Sequence, residues 1–285
     1  MAEHQITDWI GREETVQGRL DETMARMMTA TLADTGQVPL GSRDVLPPLW
    51  HWSAFPPETP ISGLGADGHP KLGGFLPPVD LPRRMWAGGT VDFVKPLHVG
   101  ERLTRHSVID DVVRKDGRAG PMVFVTVMHD ICGEDGLALR ERHDIVYLEL
   151  PKVYAPPPPV APPAPETILA EREIALSNTL LFRYSACTFN SHRIHLDLDY
   201  VREVEKYPHL VVHGPLQALL MAGLATELRG RPPARFRYRG VHPMFPDAPM
   251  RVLAQEGEQG SLALCTARGT EHQGMTATAE WEETT

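Results

Sequence analysis

Eight of the fifteen residues from position 151 to position 165 are proline, in the string PKVYAPPPPVAPPAP. Proline fixes φ and lacks a backbone N–H, so this segment can form neither a helix nor the interior of a sheet. It predicts an extended connection, about 3 Å long per residue, near the middle of the chain. We therefore expect two units, 1–150 and 167–285, joined by a proline-rich linker at 151–166. The alternative interpretation of the segment is a docking site for a proline-binding module.

Strand patterns repeat on either side of this linker. Each half contains three successive segments rich in β-branched or apolar residues and separated by Gly-containing turns, which is typical of antiparallel hairpins. The chain is therefore predicted to hold two copies of one α+β architecture, each ending in a three-strand meander. The predicted strands are 103–113, 121–131 and 137–148 in the first half and 249–255, 261–267 and 275–280 in the second.

Two helices are predicted from the spacing of their apolar residues. The spacing of Val16, Leu20 and Met24 fits one face of a helix over 14–32. Segment 215–228 (PLQALLMAGLATEL) is apolar nearly all round, which predicts a buried helix. A long buried helix beside an antiparallel meander is typical of the hotdog fold, in which a sheet wraps around a central helix. The predicted fold class is a double hotdog, with two such units in one chain.

The composition excludes several classes of protein. Lys and Arg number 28 against 37 Asp and Glu, so the formal net charge is −9 and no nucleic-acid partner is expected. Three widely spaced cysteines predict neither a disulfide scaffold nor a cysteine-metal site. No apolar stretch reaches the ~20 residues of a membrane span, and the first residues do not resemble a secretory signal. We expect a cytoplasmic protein without a membrane partner, and a homo-oligomer such as a dimer, because free sheet edges can pair between chains.

Segment 182–200, FRYSACTFNSHRIHLDLDY, is the most informative for function. It places Asn190, His192 and His195 within six residues, and the string VVHGP that opens the buried helix follows shortly afterwards. A helix start presents free N–H groups and a partial positive charge, which can polarise an acyl oxygen. A histidine nearby can transfer a proton near neutral pH. The pattern therefore predicts acid–base chemistry on an acyl group.

These segments resemble the MaoC-like enoyl-thioester hydratases of the hotdog superfamily. Aligned with the family motif Gly-Asp-x-Asn-Pro-aliphatic-His, the catalytic His matches His195, Asn190 stands at the catalytic Asp position, and His192-Arg193 replaces Asn-Pro. The string YSACTFNSHRIH is similar to the hydroxyacyl-thioester dehydratases type 2, a subfamily that includes mesaconyl-CoA and itaconyl-CoA hydratases. The first half resembles the same subfamily in LPPLWHW (46–52), GADGHPKLGGFLPP (65–78) and LPRRMWAGG (81–89).

The resemblance implies reversible addition of water to an α,β-unsaturated acyl thioester of coenzyme A or a carrier protein, with no metal and no redox cofactor. It implies a non-catalytic first half that supports the substrate pocket, and a catalytic second half. The Gly214 N–H would polarise the carbonyl, and His195 would be the acid–base group. Asn190 would orient the water but, unlike a carboxylate, cannot take its proton. Asp197, Asp199 and His192 are the candidates for a substitute.

Further residues are candidates for binding the substrate. His192, Arg193 and His213 lie beside the predicted centre, where a structural role is the alternative. A basic cluster that includes Arg235, Arg237 and Arg239 suits the phosphates of coenzyme A, and the alternative is that these alternate strand residues face solvent. A free substrate carboxylate would need a cation. The candidates for that cation are Arg183, Arg193 and the Arg83-Arg84 pair.

Two rival functions remain open from the sequence. A hotdog thioesterase would direct water to the thioester carbonyl instead of the β carbon, but such enzymes usually depend on a carboxylate, which position 190 lacks. A non-catalytic acyl-thioester binding protein is the rival from another class, because the catalytic Asp is missing.

Overall fold

The computed structural model describes residues 6–36, 40–117 and 120–282. Its central feature is a ten-stranded sheet in which every neighbouring pair is antiparallel, in the order β1-β3-β4-β5-β2-β7-β10-β9-β8-β6. All six predicted meander strands are confirmed. The strands are β1 Glu13–Gly18, β2 Arg83–Phe93, β3 Leu103–Gly117, β4 Gly120–Gly133, β5 Gly136–Leu148, β6 Ala170–Ile174, β7 Arg235–Gly240, β8 Met250–Glu256, β9 Leu262–Arg268 and β10 His272–Glu280.

The strand order repeats between the two halves. If the five strands of each half are counted from its own first strand, both halves have the spatial order first-third-fourth-fifth-second. The two copies join where β2 pairs with β7, with Gly88 opposite Arg239 and Asp92 opposite Arg235. The predicted α+β double architecture is therefore confirmed, and the boundaries at 150 and 166 stay a prediction.

The helices follow the same repeat. Helix α1 is Glu22–Leu32 and α2 is Asn178–Thr188, and each begins four residues after the first strand of its half ends. The side chains of Asp21 and Ser177 cap them by accepting from the backbone N–H three residues ahead. Helix α3 is Leu198–Glu203, and the long buried helix α4 is Gly214–Arg229, which confirms the prediction for 215–228.

The predicted helix over 14–32 is wrong in its first third. Residues Glu13–Gly18 form strand β1, which pairs with β3, and only Glu22–Leu32 is helical. Val16 is half-buried and packs against the core from the strand, so it satisfies the helical spacing without belonging to the helix. Asp21, as the N-cap, sets the true start of the helix.

Helix α4 fills the concave side of the second half. Nine of its residues are buried, and it packs against β8, β9 and β10. In the described part of the first half, the chain between α1 and β2 has no helix of that length, only the 3-10 turns Ala33–Thr35, Trp50–Ala54 and Ile61–Gly63.

Buried Glu141 fixes the turn Trp50–Ala54. Its carboxylate accepts from Trp52 Nε1 at 2.7 Å and lies 3.1 Å from His51 Nε2 and 2.7 Å from His143 Nε2. Burial raises the pKa of Glu141, but His143 and His51 outweigh this effect and hold it well below its usual value. These partners satisfy the carboxylate, so we interpret the group as structural.

The proline-rich linker has no helix or strand between residues 151 and 164, as predicted. It runs along the second half, where the carbonyls of Val160 and Ala161 each accept a hydrogen bond of 2.8 Å from Gln273. Within the described residues, no helix has the length and apolar character to span a bilayer.

Candidate active site

Helix α2 ends in a turn that presents the predicted site residues. Phe189 takes a left-handed conformation (φ 50°), and the Asn190 N–H donates to the Ser185 carbonyl at 2.8 Å. The Asn190 side-chain oxygen then accepts from the His192 N–H at 3.0 Å. Asn190 thus caps the turn that carries the histidines, and its contact with a water stays a prediction.

His195 is buried, and the backbone fixes its protonation. Its Nδ1 lies 2.7 Å from the Val211 carbonyl, which can only accept, so Nδ1 carries the proton and Nε2 keeps its lone pair. Burial lowers the pKa of His195 to about 4. The imidazole is therefore neutral at pH 7 and able to accept a proton at Nε2.

His213 stacks on His195. The two rings lie 3.7 Å apart at an angle of 19°, and His213 Nε2 lies 2.8 Å from the Ser185 hydroxyl. His213 Nδ1 is buried and has no hydrogen-bond partner among the described residues. Native proteins rarely leave a buried polar atom unpaired, so a water or a ligand is expected to pair with this atom.

The amino end of α4 lies directly after His213. Gly214 is its first residue and Pro215, which has no N–H, its second. A side chain at Gly214 would meet only the Met275 methyl, at 3.3 Å, so packing alone does not demand glycine there. The end of a 16-residue helix carries free N–H groups and a partial positive charge, the property predicted for an oxyanion site.

His69, a residue of the first half that the sequence did not predict for the site, joins this group. The His69 ring lies 4.0 Å from that of His192, which lies 5.4 Å from that of His195. His69 Nδ1 lies 2.8 Å from a carboxylate oxygen of Asp67. In the sequence, the string GADGHP indicated only a family resemblance. His69 and His192 are about 120 positions apart, so nothing in the sequence predicted their contact.

Hydrogen bonds dock the 65–69 loop on residues 191–193. The Arg193 N–H donates to the Asp67 carbonyl at 2.9 Å, and the Ser191 hydroxyl donates to the Gly68 carbonyl at 2.5 Å. Gly68 has φ +88°, and a Cβ there would collide with the Ser191 carbonyl. Only glycine allows this approach, so the two halves form one site.

Arg193 holds the docked loop in place. Its guanidinium donates to the Ala66 carbonyl at 2.9 Å and to Asp197 at 2.7 and 3.0 Å, and it lies over the Tyr200 ring. Asp197 also caps α3. These contacts show that Arg193 and Asp197 stabilise the local structure. The substrate contact predicted for Arg193 stays a prediction.

The arginines of β7 face away from the core. Arg235 pairs with Asp92 and Arg237 with Glu280, and Arg239 is also exposed. The residues between them, Phe236 and Tyr238, are buried. This arrangement agrees with the solvent-facing alternative, and phosphate binding by this group stays a prediction.

A cavity of about 670 Å³ opens beside the docked loop. Asp67 and His69 form part of its wall together with Lys71, Arg84 and Arg193. A second cavity, of about 340 Å³, lies elsewhere and has a mostly apolar wall that includes His51. The first cavity thus combines cations with a histidine whose ring contacts His192.

Residues 49–246 match the hydroxyacyl-thioester dehydratase type 2 family. The chain belongs to that family. It is a hydro-lyase of the hydratase/dehydratase class, as the sequence predicted.

Two curated relatives agree with this assignment. The chain is 44% identical to the mesaconyl-C(4)-CoA hydratase of Chloroflexus aurantiacus over 267 residues, which are 90% of this chain and 94% of the relative. It is 27% identical to the mitochondrial hydroxyacyl-thioester dehydratase type 2 of Schizosaccharomyces pombe over 74% of this chain and 78% of that protein.

Solved structures support the fold. A MaoC-like dehydratase superposes with a TM-score of 0.68 at 14% identity and covers 96% of this chain and 98% of its own. HtdX of Mycobacterium tuberculosis gives 0.63 at 15% identity over 95% of this chain and all of its own. Another Mycobacterium tuberculosis protein, described as having a double hotdog fold, gives a TM-score of 0.56 at 12% identity and covers 95% of each chain.

Acid should destabilise the folded protein through its buried histidines. Burial lowers the pKa of His69 and His195 to about 4 and that of His129 to about 3, whereas unfolding restores values near 6.5. The unfolded state therefore binds more protons, so stability falls as the pH drops below about 6.5 and levels off near 3. His69 and His195 each contribute about 3 kcal/mol to this loss and His129 about 5 kcal/mol. Urea unfolding at pH 7.5, 6 and 5 measures it, and unchanged stability across that range would contradict the burial argument.

Proposed function

We propose that the protein hydrates a mesaconyl-C4 thioester of coenzyme A, or dehydrates the product, without a metal or redox cofactor. The observation that carries this proposal is His195, whose Nε2 is free to accept a proton and whose ring stacks on the histidine preceding α4. The 44% identity to a mesaconyl-C(4)-CoA hydratase supports the choice of acyl group.

Hydration requires that the carbonyl be polarised, that water be activated toward the β carbon, and that a proton reach the α carbon; the first two tasks are assigned as follows. The thioester oxygen accepts from the Gly214 N–H at the positive end of α4, which stabilises the enolate that forms. His195 takes a proton from water as the water oxygen bonds to the β carbon. His213 supports the ring of His195 by stacking, and its buried Nδ1 is available to the ligand.

The substrate's own chemistry fits the larger cavity. The β carbon of a mesaconyl-C4 thioester bears a methyl group and a free carboxylate, so the carboxylate must lie close to the attacking water. Arg84 lines the cavity beside His69, and its charge reaches Asp67, His69 and His192, whose pKa values it lowers. Arg84 is therefore the candidate that we select from those predicted to bind the carboxylate.

Replacing Arg84 should remove the preference for a carboxylate. We expect Arg84→Gln to lower kcat/KM for mesaconyl-C4-CoA at least tenfold, because a neutral amide loses the charge-assisted hydrogen bonds to the carboxylate. Crotonyl-CoA has only a methyl group on the β carbon, so we expect its kcat/KM to change less than threefold. Initial rates at the enoyl-thioester absorbance band measure both. Equal losses for the two substrates would show that Arg84 does not bind the carboxylate.

Removing the His195 imidazole should abolish hydration. We expect His195→Ala and His195→Gln to lower kcat about a hundredfold or more, the usual contribution of a positioned acid–base group. His106 is partly exposed and pairs with Glu13 on strand β1. His106→Ala is therefore the matched control, for which we expect unchanged rates. Circular dichroism and thermal unfolding establish that each variant folds. A folded His195 variant that keeps more than a tenth of the rate would disprove the role.

The predicted dimer and cytoplasmic location belong to the same proposal. The outermost strands of the sheet, β1 and β6, each have one edge without a strand partner among the described residues, which supports pairing between chains. Sedimentation equilibrium of the purified protein tests the dimer.

A further inference from the structure

Position 190 lacks the carboxylate that the family motif would place there, but Asp67 provides a carboxylate close to the predicted site residues. Asp67 lies in the first half, on the loop that docks on residues 191–193. Its two oxygens have separate tasks: one accepts from the His69 backbone N–H at 3.0 Å, and the other lies 2.8 Å from His69 Nδ1. The His69 ring is therefore fixed in position, with Nε2 as its free nitrogen.

We propose that His69 is a second catalytic group of the hydratase, the acid that protonates the α carbon, and that Asp67 positions it and stabilises its protonated form. The inference rests on the function proposed above and concerns the same site. It assigns a catalytic residue to the first half, for which the sequence predicted only support of the substrate pocket.

The two steps of hydration then use two different imidazoles. An O–H bond of water breaks, its proton goes to His195 Nε2, and the oxygen bonds to the β carbon while the double-bond electrons move into the enolate. The N–H bond of His69 then breaks, and its proton forms a C–H bond with the enolate pair at the α carbon. His192 lies between the two rings, so the proton gained by His195 can return to His69 through it.

The charge balance of the site explains how His69 acquires its proton. In the free enzyme, burial and the positive charge of Arg84 lower the pKa of His69 to about 4 despite the Asp67 carboxylate. A substrate carboxylate bound at Arg84 cancels that charge, and the site then favours one additional proton. The remaining charged residues of the cavity wall are Lys71, Asp80, Arg193, Asp199 and Glu203.

A metal ion is the competing use of these residues. Ligand atoms of Asp67, His69 and His192 all lie within 4.8 Å of one another. The positive charge of Arg84 repels protonated His69 and protonated His192, and it would also repel a divalent cation. We therefore favour a proton over a metal ion.

Proton uptake on ligand binding tests the proposal without turnover. Succinyl-CoA has the free carboxylate but no double bond, and butyryl-CoA has a methyl group in its place. Calorimetric titrations at pH 7 in buffers of different ionisation enthalpy give the number of protons taken up. We expect close to one proton with succinyl-CoA, none with butyryl-CoA, and none with either ligand for Asp67→Asn or His69→Gln. Binding of succinyl-CoA without uptake, or uptake that persists in both variants, would overturn the assignment.

Kinetics provide an independent test. We expect Asp67→Asn to lower kcat tenfold or more and His69→Ala a hundredfold, with KM changed less than threefold, and added imidazole to restore part of the His69→Ala rate through the adjacent cavity. His106→Ala is again the control. A His69→Ala enzyme that keeps a third of the wild-type kcat, or wild-type activity that EDTA abolishes, would overturn the proposal.

The two proposals fail in different ways. If wild-type enzyme does not hydrate mesaconyl-C4-CoA, the proposed substrate is wrong. The ratio of variant to wild-type rates with fumaryl-CoA, which keeps a free carboxylate on the β carbon but lacks the methyl group, then decides the role of His69, because that carboxylate also cancels the charge of Arg84.

Discussion

The docking of the 65–69 loop on residues 191–193 is the contact on which the site depends. It combines one backbone hydrogen bond, from the Arg193 N–H to the Asp67 carbonyl, with bonds that the Ser191 and Arg193 side chains donate to loop carbonyls. Gly68 permits this approach, since its left-handed conformation and its contact with the Ser191 carbonyl admit no side chain. Through this contact the first half brings a carboxylate–imidazole pair to histidines of the second half, which explains how an enzyme can lack the motif's carboxylate at position 190.

Burial of neutral imidazoles determines the chemistry. Four histidines, at positions 69, 192, 195 and 213, form a continuous series of ring contacts, and desolvation is the largest cause of the lowered pKa in each. A series of charged imidazoles would repel one another at these distances. Neutral rings can instead accept and pass a single proton, and the Val211 carbonyl and Asp67 carboxylate determine which nitrogen does so.

The sequence predicted those features that depend on local pattern. The meander strands and α4 follow from β-branched runs, turns and a continuous apolar stretch, and His195 was predicted to lie near Gly214 because the two segments are close in sequence and share the family resemblance. The strand at Glu13–Gly18 was missed because its half-buried valine also fits a helical spacing. The Asp67–His69 pair could not be predicted, because its contact with His192 depends on how a loop without helix or strand folds back across 120 residues.

The most direct test of this account is the crystal structure of the enzyme with succinyl-CoA. The account predicts that the thioester oxygen lies within hydrogen-bond distance of the Gly214 N–H and that the carboxylate contacts Arg84. It also predicts that the two carbons between them lie beside Nε2 of His195 and of His69. An acyl group bound instead in the apolar cavity beside His51, with both of these nitrogens remote from it, would contradict the central claim that the two halves share one reaction centre.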